Sequence, residues 1–328
     1  MTDRPLLEVN HLTTHYVSAR GTRVVPAVDD ISFRLEAGQT LGIVGESGSG
    51  KTTLALTILR LLAPAARIVD GEILFEGENL LSKSAHEMRR IRGKRIAMIL
   101  QDPMASLNPL FTVGDQIAEP IRVHEQVGRA SAWTRARDLL RAVRISAPDA
   151  RAKEYPHQMS GGMRQRIVGA IAISCGPRLL IADEPTTSLD VTIQAQYLNL
   201  LRDLQRAHGL AMIFITHNLG IVAKMCDHVA VMYAGRIVEQ GPVRRIFRSP
   251  AHPYTSALIE SIPRLGDHHQ RLTAIEGQPP DLVARPLGCA FHPRCPKAME
   301  RCRGEHPPAF DVEPRHTARC WLVAPPAP

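Results

Sequence analysis

Short apolar runs, bounded by glycine, proline and charged residues, dominate the first hundred positions. LLEVNHLTTHYV, DISFRL, TLGIVG, GEILFEG and RIAMILQ are rich in β-branched and aliphatic residues and predict strands. One helix-compatible stretch, from Lys51 to about Leu62, interrupts them. From about Asp102 to Tyr155 the pattern becomes helical. VGDQIAEPIRVHEQV and ASAWTRARDLLRAVRI, separated by Gly128 and ended by Pro148, predict a helical insert. After Ser160 the strands return as RLLIAD, LAMIFITH and HVAVMYAG, each near a helix-compatible segment. Continuous apolar runs between helices suit a parallel sheet covered on both faces, so the fold class is α/β. Beyond Gly241, prolines at 242, 250, 253, 263, 279, 280 and 286 break the pattern too often for more of a doubly wound domain.

Composition and charge refine this picture only slightly. A chain of 328 residues exceeds one ordinary core, which predicts one large domain with an appendage, or two domains. Lys and Arg total 40 against 32 Asp and Glu, a net charge of +8. The basic residues are scattered, and the densest group is the short MRRIRGKR at 88–95, which favours an anionic ligand or a nearby membrane surface over a nucleic-acid tail. The start MTDRPLLEVN lacks the charged and apolar regions of a secretory signal, and no run reaches the roughly 18 apolar residues of a membrane span. The chain is therefore expected in the cytosol, with reduced thiols.

Two stretches carry recognisable chemistry. GESGSGKTT at 45–53 follows an apolar run and opens a helix, the context in which a GxxxxGK[ST] pattern cradles phosphates. Gly45, Gly48 and Gly50 let the backbone around Ser47 approach anionic oxygens, Lys51 supplies a point charge, Thr52 a hydroxyl for magnesium, and Thr53 lies beside the motif. RLLIADEPTTSLD at 178–190 delivers two carboxylates at the end of an apolar strand. Asp183 is expected to orient magnesium or its water, and Glu184 to polarise an attacking water.

With QMSGGMRQR at 158–166 lying between these two motifs, the chain resembles the ATP-binding cassette (ABC) ATPases. The resemblance implies an ABC-type P-loop fold: a RecA-like parallel-sheet core, an antiparallel β subdomain and a helical insert over about 102–160. It implies that Ser160, Gly161 and Gly162 reach the γ-phosphate of ATP held by an opposite cassette. By the same resemblance Gln101 in ILQDP touches magnesium and the insert, Ser188 to Asp190 form the D-loop, His217 in FITHN contacts the γ-phosphate, and Tyr16 packs on adenine. Met163 and Asn218 depart from the family pattern, where Gln and Asp are common, without removing a catalytic group. QDPMASLNPLFTVGDQI is similar to the segment that receives a permease coupling helix, although an apolar face there also suits core packing.

YPHQMSGGMRQR, SPAHPYTSALIESIP at 249–263 and a cysteine-bearing tail narrow the resemblance to the ATPase subunits of dipeptide/oligopeptide importers, the peptide and nickel branch. It implies a cassette over 1–248 and an extension over 249–328. It also implies a second cassette, a sister chain by family habit, with two permeases and an extracytoplasmic binding protein acting through them, at the cytoplasmic face of the inner membrane. Nickel or another small solute is an alternative cargo. A soluble ABC ATPase acting on nucleic acid or ribosomes is an alternative class, disfavoured by the single cassette.

Four of six cysteines, Cys289, Cys295, Cys302 and Cys320, lie in this tail, with five, six and seventeen residues between successive members. Structural zinc usually uses a tighter pair, whereas four thiolates on loops suit an iron–sulfur cluster; zinc and plain reduced thiols stay open. The resemblance implies a [4Fe-4S] cluster on these four, a metal staple for the small extension. His292, His306 and His316 are expected as surface residues, and Cys175 and Cys226 as core thiols.

Overall fold

The computed structural model describes residues 4–18, 21–102, 106–187, 189–262 and 275–325. Its strands are β1 Leu7–Val17, β2 Val24–Leu35, β3 Thr40–Val44, β4 Ala66–Phe75, β5 Glu78–Asn79, β6 Ile96–Ile99, β7 Leu179–Asp183, β8 Ala211–Ile215, β9 His228–Tyr233, β10 Arg236–Pro242, β11 Phe310–Glu313 and β12 His316–Ala318. The chain divides into two compact units. One comprises Met1–Leu35, Thr40–Leu81 and Thr216–Pro328, the other Glu36–Gln39 and Ser82–Ile215.

In the first unit β2, β1, β4 and β5 form an antiparallel sheet in that order. In β1, residues Leu7, Val9 and Leu12 are buried while Glu8, Asn10 and His11 are less so, as expected of a sheet packed on one face. A second run, β11-β12-β10-β9-β3, is antiparallel until β9 meets β3 in parallel. Every residue of β3 is buried, which is why TLGIV reads as uniformly apolar except for Thr40. The proline-rich extension thus contributes two strands. Ala318 of β12 registers with Glu239 of β10, and the extension belongs to the first unit, not to a unit of its own.

The second unit contains parallel strands β8, β7 and β6. Both β7 and β8 are buried throughout. Its helices include Val113–Glu125, started by Thr112, whose hydroxyl accepts from the Asp115 amide at 3.2 Å, and Arg129–Ala142. Ala132, Ala136 and Leu140 make the buried stripe of the latter, at the four-residue spacing of one helical face. Arg135 pairs bidentately with Glu125, and Trp133 Nε1 donates to Asp115 at 3.1 Å, so both polar and apolar contacts hold the pair of helices.

The first helix is shorter than its sequence pattern. It runs Lys51–Ile58, because Arg60 adopts a left-handed backbone with φ of 52° that α-helix cannot continue. Segment 103–105, within the stretch read as a permease contact, and Ser188 lie outside the described residues.

Candidate functional site

The phosphate loop joins β3 to the helix Lys51–Ile58 in the first unit. Gly50 caps that helix and, as glycine, offers it no side-chain hydrogen bond. Such a helix start is a ready anion site. Gly50 has φ of 101°, and a Cβ there would lie 2.1 Å from the Ala27 carbonyl oxygen, so both backbone angle and space demand glycine. Lys51 is 7% exposed, and its ammonium donates to the Gly45 carbonyl at 2.8 Å, the Glu46 carbonyl at 2.9 Å and Ser49 Oγ at 3.4 Å. The positive charge is therefore held within the loop. Thr52 is exposed at the helix start, whereas Thr53 is half-buried and its carbonyl accepts from Thr57 Oγ1 at 2.7 Å.

Two more predicted residues lie in this unit. Tyr16, half-buried on β1, stands opposite Val25 of β2 and Ala66 of β4. His217 is exposed just after β8. Its neighbour Asn218 caps the helix Leu219–Met225, accepting from the amides of Gly220 at 2.9 Å and Ile221 at 3.3 Å. Asparagine caps as well as aspartate, so the departure noted in the sequence leaves the local structure intact.

The second unit holds the carboxylates. Asp183 is buried as the last residue of β7, and Glu184 follows it on left-handed backbone with φ of 44°. A non-glycine residue there is held against its preference by its surroundings. The Glu184 amide donates to the Ile215 carbonyl at 2.9 Å. Its Oε2 accepts from Thr187 Oγ1 at 2.9 Å and from Gln101 Nε2 at 3.4 Å. Two residues far apart in sequence, Gln101 and Glu184, thus meet. Ser160 caps the helix Gly161–Ile173, its hydroxyl accepting from the Met163 amide at 3.3 Å, while Ser160 and Gly161 stay exposed. A Cβ on Gly162 would come within 2.8 Å of Ile193 Cγ2, which explains the second glycine of SGG. Asp190 caps the helix Val191–His208 through the amides of Thr192 and Ile193.

The four C-terminal cysteines all line one cavity, together with His252, Pro253, Phe291 and Trp321. Burial pushes the Cys289 thiol up to about 11, and raises Cys295 and Cys320 as well. The nearby backbone N–H groups of Phe291, Lys297 and Leu322, each two residues ahead, work against that rise. Cys302 Sγ accepts from the Met299 amide at 3.5 Å. Among the described residues no three His, Cys, Asp or Glu side chains form a ligand set for a single metal ion.

His252 is 1% exposed, and its Nδ1 accepts from the Tyr254 amide at 3.1 Å, which places the ring proton on Nε2. That Nε2 is buried without a hydrogen-bond partner among the described residues. Burial, aided by His306, pushes its pKa down to about 3, so the ring is neutral. Of the three histidines expected at the surface, His316 is instead 2% exposed. Its Nε2 lies 2.8 Å from Glu239 Oε1, and Glu239 also accepts from the amides of Ala251 at 2.7 Å and His252 at 2.9 Å. Burial of that carboxylate requires such partners, and sequence spacing gave no sign of the 77-residue pairing. Cys226 and Cys175 are partly buried, and burial raises both thiols.

Known proteins similar to this chain show its family. A family model described as ABC transporter matches residues 28–187, and one described as oligopeptide/dipeptide transporter, C-terminal region, matches residues 238–302. The probable peptide ABC transporter ATP-binding protein y4tR of Sinorhizobium fredii is 52% identical over 96% of this chain and 94% of its own length. The oligopeptide transport ATP-binding protein OppD of Bacillus subtilis is 49% identical over 98% of this chain and 90% of its own. The fold matches a dimeric post-hydrolysis state of the ATP-binding cassette MJ0796 bound to ADP and Pi, with a TM-score of 0.65 and 23% identity over 73% of this chain and 99% of that one. On identity sustained along nearly its whole length, the chain belongs to the ATP-hydrolysing ABC transporter ATP-binding proteins of the oligopeptide/dipeptide transporter type.

Proposed function

We propose that this chain binds ATP with magnesium on its phosphate loop, closes against a second cassette and hydrolyses the γ-phosphate to drive import of short peptides. By the resemblance, Lys51 and the loop amides would hold the phosphates, and Thr52, Asp183 and Gln101 would each offer an oxygen to magnesium or its waters. Magnesium neutralises charge on the phosphate oxygens when bound. Ser160 and the amides of Gly161 and Gly162 serve the nucleotide of the opposite cassette, which makes closure depend on ATP. Tyr16 packs on adenine, and His217 faces the γ-phosphate. Peptide as cargo is carried over from the names of the relatives. No helix among the described residues is long and apolar enough to cross a membrane. On this reading two permease chains form the channel and the cassette docks on them from the cytoplasmic side, served by an extracytoplasmic binding protein.

The observation that carries the reading is Glu184, a carboxylate at the end of an apolar strand with its Oε2 held by Thr187 and Gln101. A base so fixed can orient and polarise one water. Glu184→Gln is expected to lower turnover by about 10²–10⁴-fold while ATP affinity stays within a fewfold and a closed dimer accumulates in light scattering. Unchanged turnover rejects the assignment.

For the four C-terminal cysteines we propose a [4Fe-4S] cluster rather than zinc. Four sulfurs around one cavity, with Cys302 Sγ accepting the Met299 N–H, suit thiolates, and the unpartnered His252 N–H beside them suits an anionic group. Spacing without a tight pair also favours the cluster. When bound, it cross-links loops that have little core of their own.

A further inference from the structure

Glu46 occupies a position that the GxxxxGKT pattern leaves open, so phosphate binding does not itself call for a carboxylate there. The C-terminal segment nevertheless grips this residue twice. Its backbone N–H donates to Tyr254 Oη at 2.9 Å. Its carboxylate receives Arg294 through both terminal nitrogens, at 2.7 and 3.0 Å. The Arg294 side chain is only 5% exposed and is itself fixed on every side. It donates to Tyr233 Oη at 3.3 Å, to the Ile275 carbonyl at 3.3 Å and to the Glu276 carbonyl at 2.9 Å, and its guanidinium lies 5.9 Å from the ring centres of Tyr233 and Phe291.

Tyr233, Tyr254 and Phe291 form a buried aromatic cluster with ring centres 4.5 to 5.3 Å apart. They come from β9, from the helix Pro253–Glu260 and from the cysteine segment respectively. The grip on Glu46 therefore rests on packed elements and not on a mobile surface pair. It also leads straight to the lysine, because the Glu46 carbonyl is one of the acceptors that hold the Lys51 ammonium.

We infer that Arg294 and Tyr254 are positioning residues for the nucleotide: they fix the Glu46 peptide and neutralise its carboxylate inside the loop that receives a triphosphate. The C-terminal extension is on this view a working part of the ATP site. Without Arg294 the Glu46 carboxylate stands unpaired beside the phosphates and opposes their charge, a penalty that removing the carboxylate cancels.

The test is an equilibrium titration of the full-length protein with a fluorescent ATP analogue, combined with steady-state turnover. Arg294→Gln is expected to weaken binding about tenfold, and the double variant Glu46→Gln/Arg294→Gln to return within about threefold of the parent. KM for ATP rises with the single variant while kcat at saturation stays within about twofold. Parental affinity in Arg294→Gln overturns the inference, as does a double variant no tighter than the single, or a fall in kcat with KM unchanged. Should Arg294→Gln fail to fold by circular dichroism, Arg294→Lys decides: retained charge predicts affinity within about threefold, and a tenfold loss in a folded Arg294→Lys protein overturns the charge argument.

Discussion

The phosphate loop and the cysteine extension lie in the same unit and differ in how their functional groups are assembled. From Gly45 to Thr53 the groups are contiguous, and their geometry follows from local rules: glycine at left-handed φ, a helix start capped by glycine, a lysine folded into the loop. From Cys289 to Cys320 the sulfurs are scattered, and nothing local brings them together. Their shared cavity depends on β12 pairing with β10, on the Glu239–His316 contact and on the packing of Phe291 against Tyr233 and Tyr254. The local motif still depends on the non-local one, because Arg294, next to Cys295, holds Glu46 of the loop.

The loop is tightly constrained at Gly50. Gly50→Val puts a side chain 2.1 Å from the Ala27 carbonyl on a backbone angle that valine avoids. It is expected to abolish nucleotide binding and to cost about 3 kcal/mol of stability, read by titration and denaturant melts. A variant that binds ATP normally would show that the loop tolerates rearrangement.

Cys302→Ser tests the scattered site. Cys302 is 8% exposed in the cavity. Anaerobically purified parent should carry iron and acid-labile sulfide with broad visible absorbance, and the variant should lose most of both, with a thermal midpoint lower by roughly 5 °C. Zinc without iron in the parent would replace the proposed cluster with a zinc site.

The smallest effect is a pH dependence in the extension. Burial lowers the His252 pKa to about 3 from an ordinary value of 6.5. The unfolded chain therefore binds the extra proton first, so this contribution to stability is complete above about pH 6.5 and is lost as pH falls toward 3. The slope is at most about 1.4 kcal/mol per pH unit for one such group. Urea melts of the metal-free protein between pH 7 and 5 should show it, and His252→Asn should flatten it.

Much of the fold was legible because burial leaves a one-dimensional trace. TLGIV, RLLIAD and LAMIFI are apolar because β3, β7 and β8 are covered on both faces. The helix Arg129–Ala142 showed its face at four-residue spacing. The end of the first helix was not legible, since Arg60 in a left-handed turn has no compositional sign. Nor were β11 and β12, short strands amid prolines that pair with each other, β12 also joining β10 almost eighty residues earlier. His316 reads as a polar surface residue until its pairing with Glu239 is known. Glu46 stands inside a recognised motif without a role, because the residues that use it follow 208 and 248 positions later.

The sequence alone marked the residue types on which the proposed nucleotide chemistry rests: a glycine-rich loop leading to Lys51, a strand ending in Asp183 and followed by Glu184, and a serine-glycine helix start are each contiguous, with backbone geometry set within a few residues. Tertiary structure alone decided which distant groups meet. Gln101 reaches Glu184, Arg294 and Tyr254 grip Glu46, and four cysteines share one cavity with His252. The physical reason is that such contacts form only when the packing of buried strands and rings offsets the entropy of closing long loops, a balance that no local run of residues records.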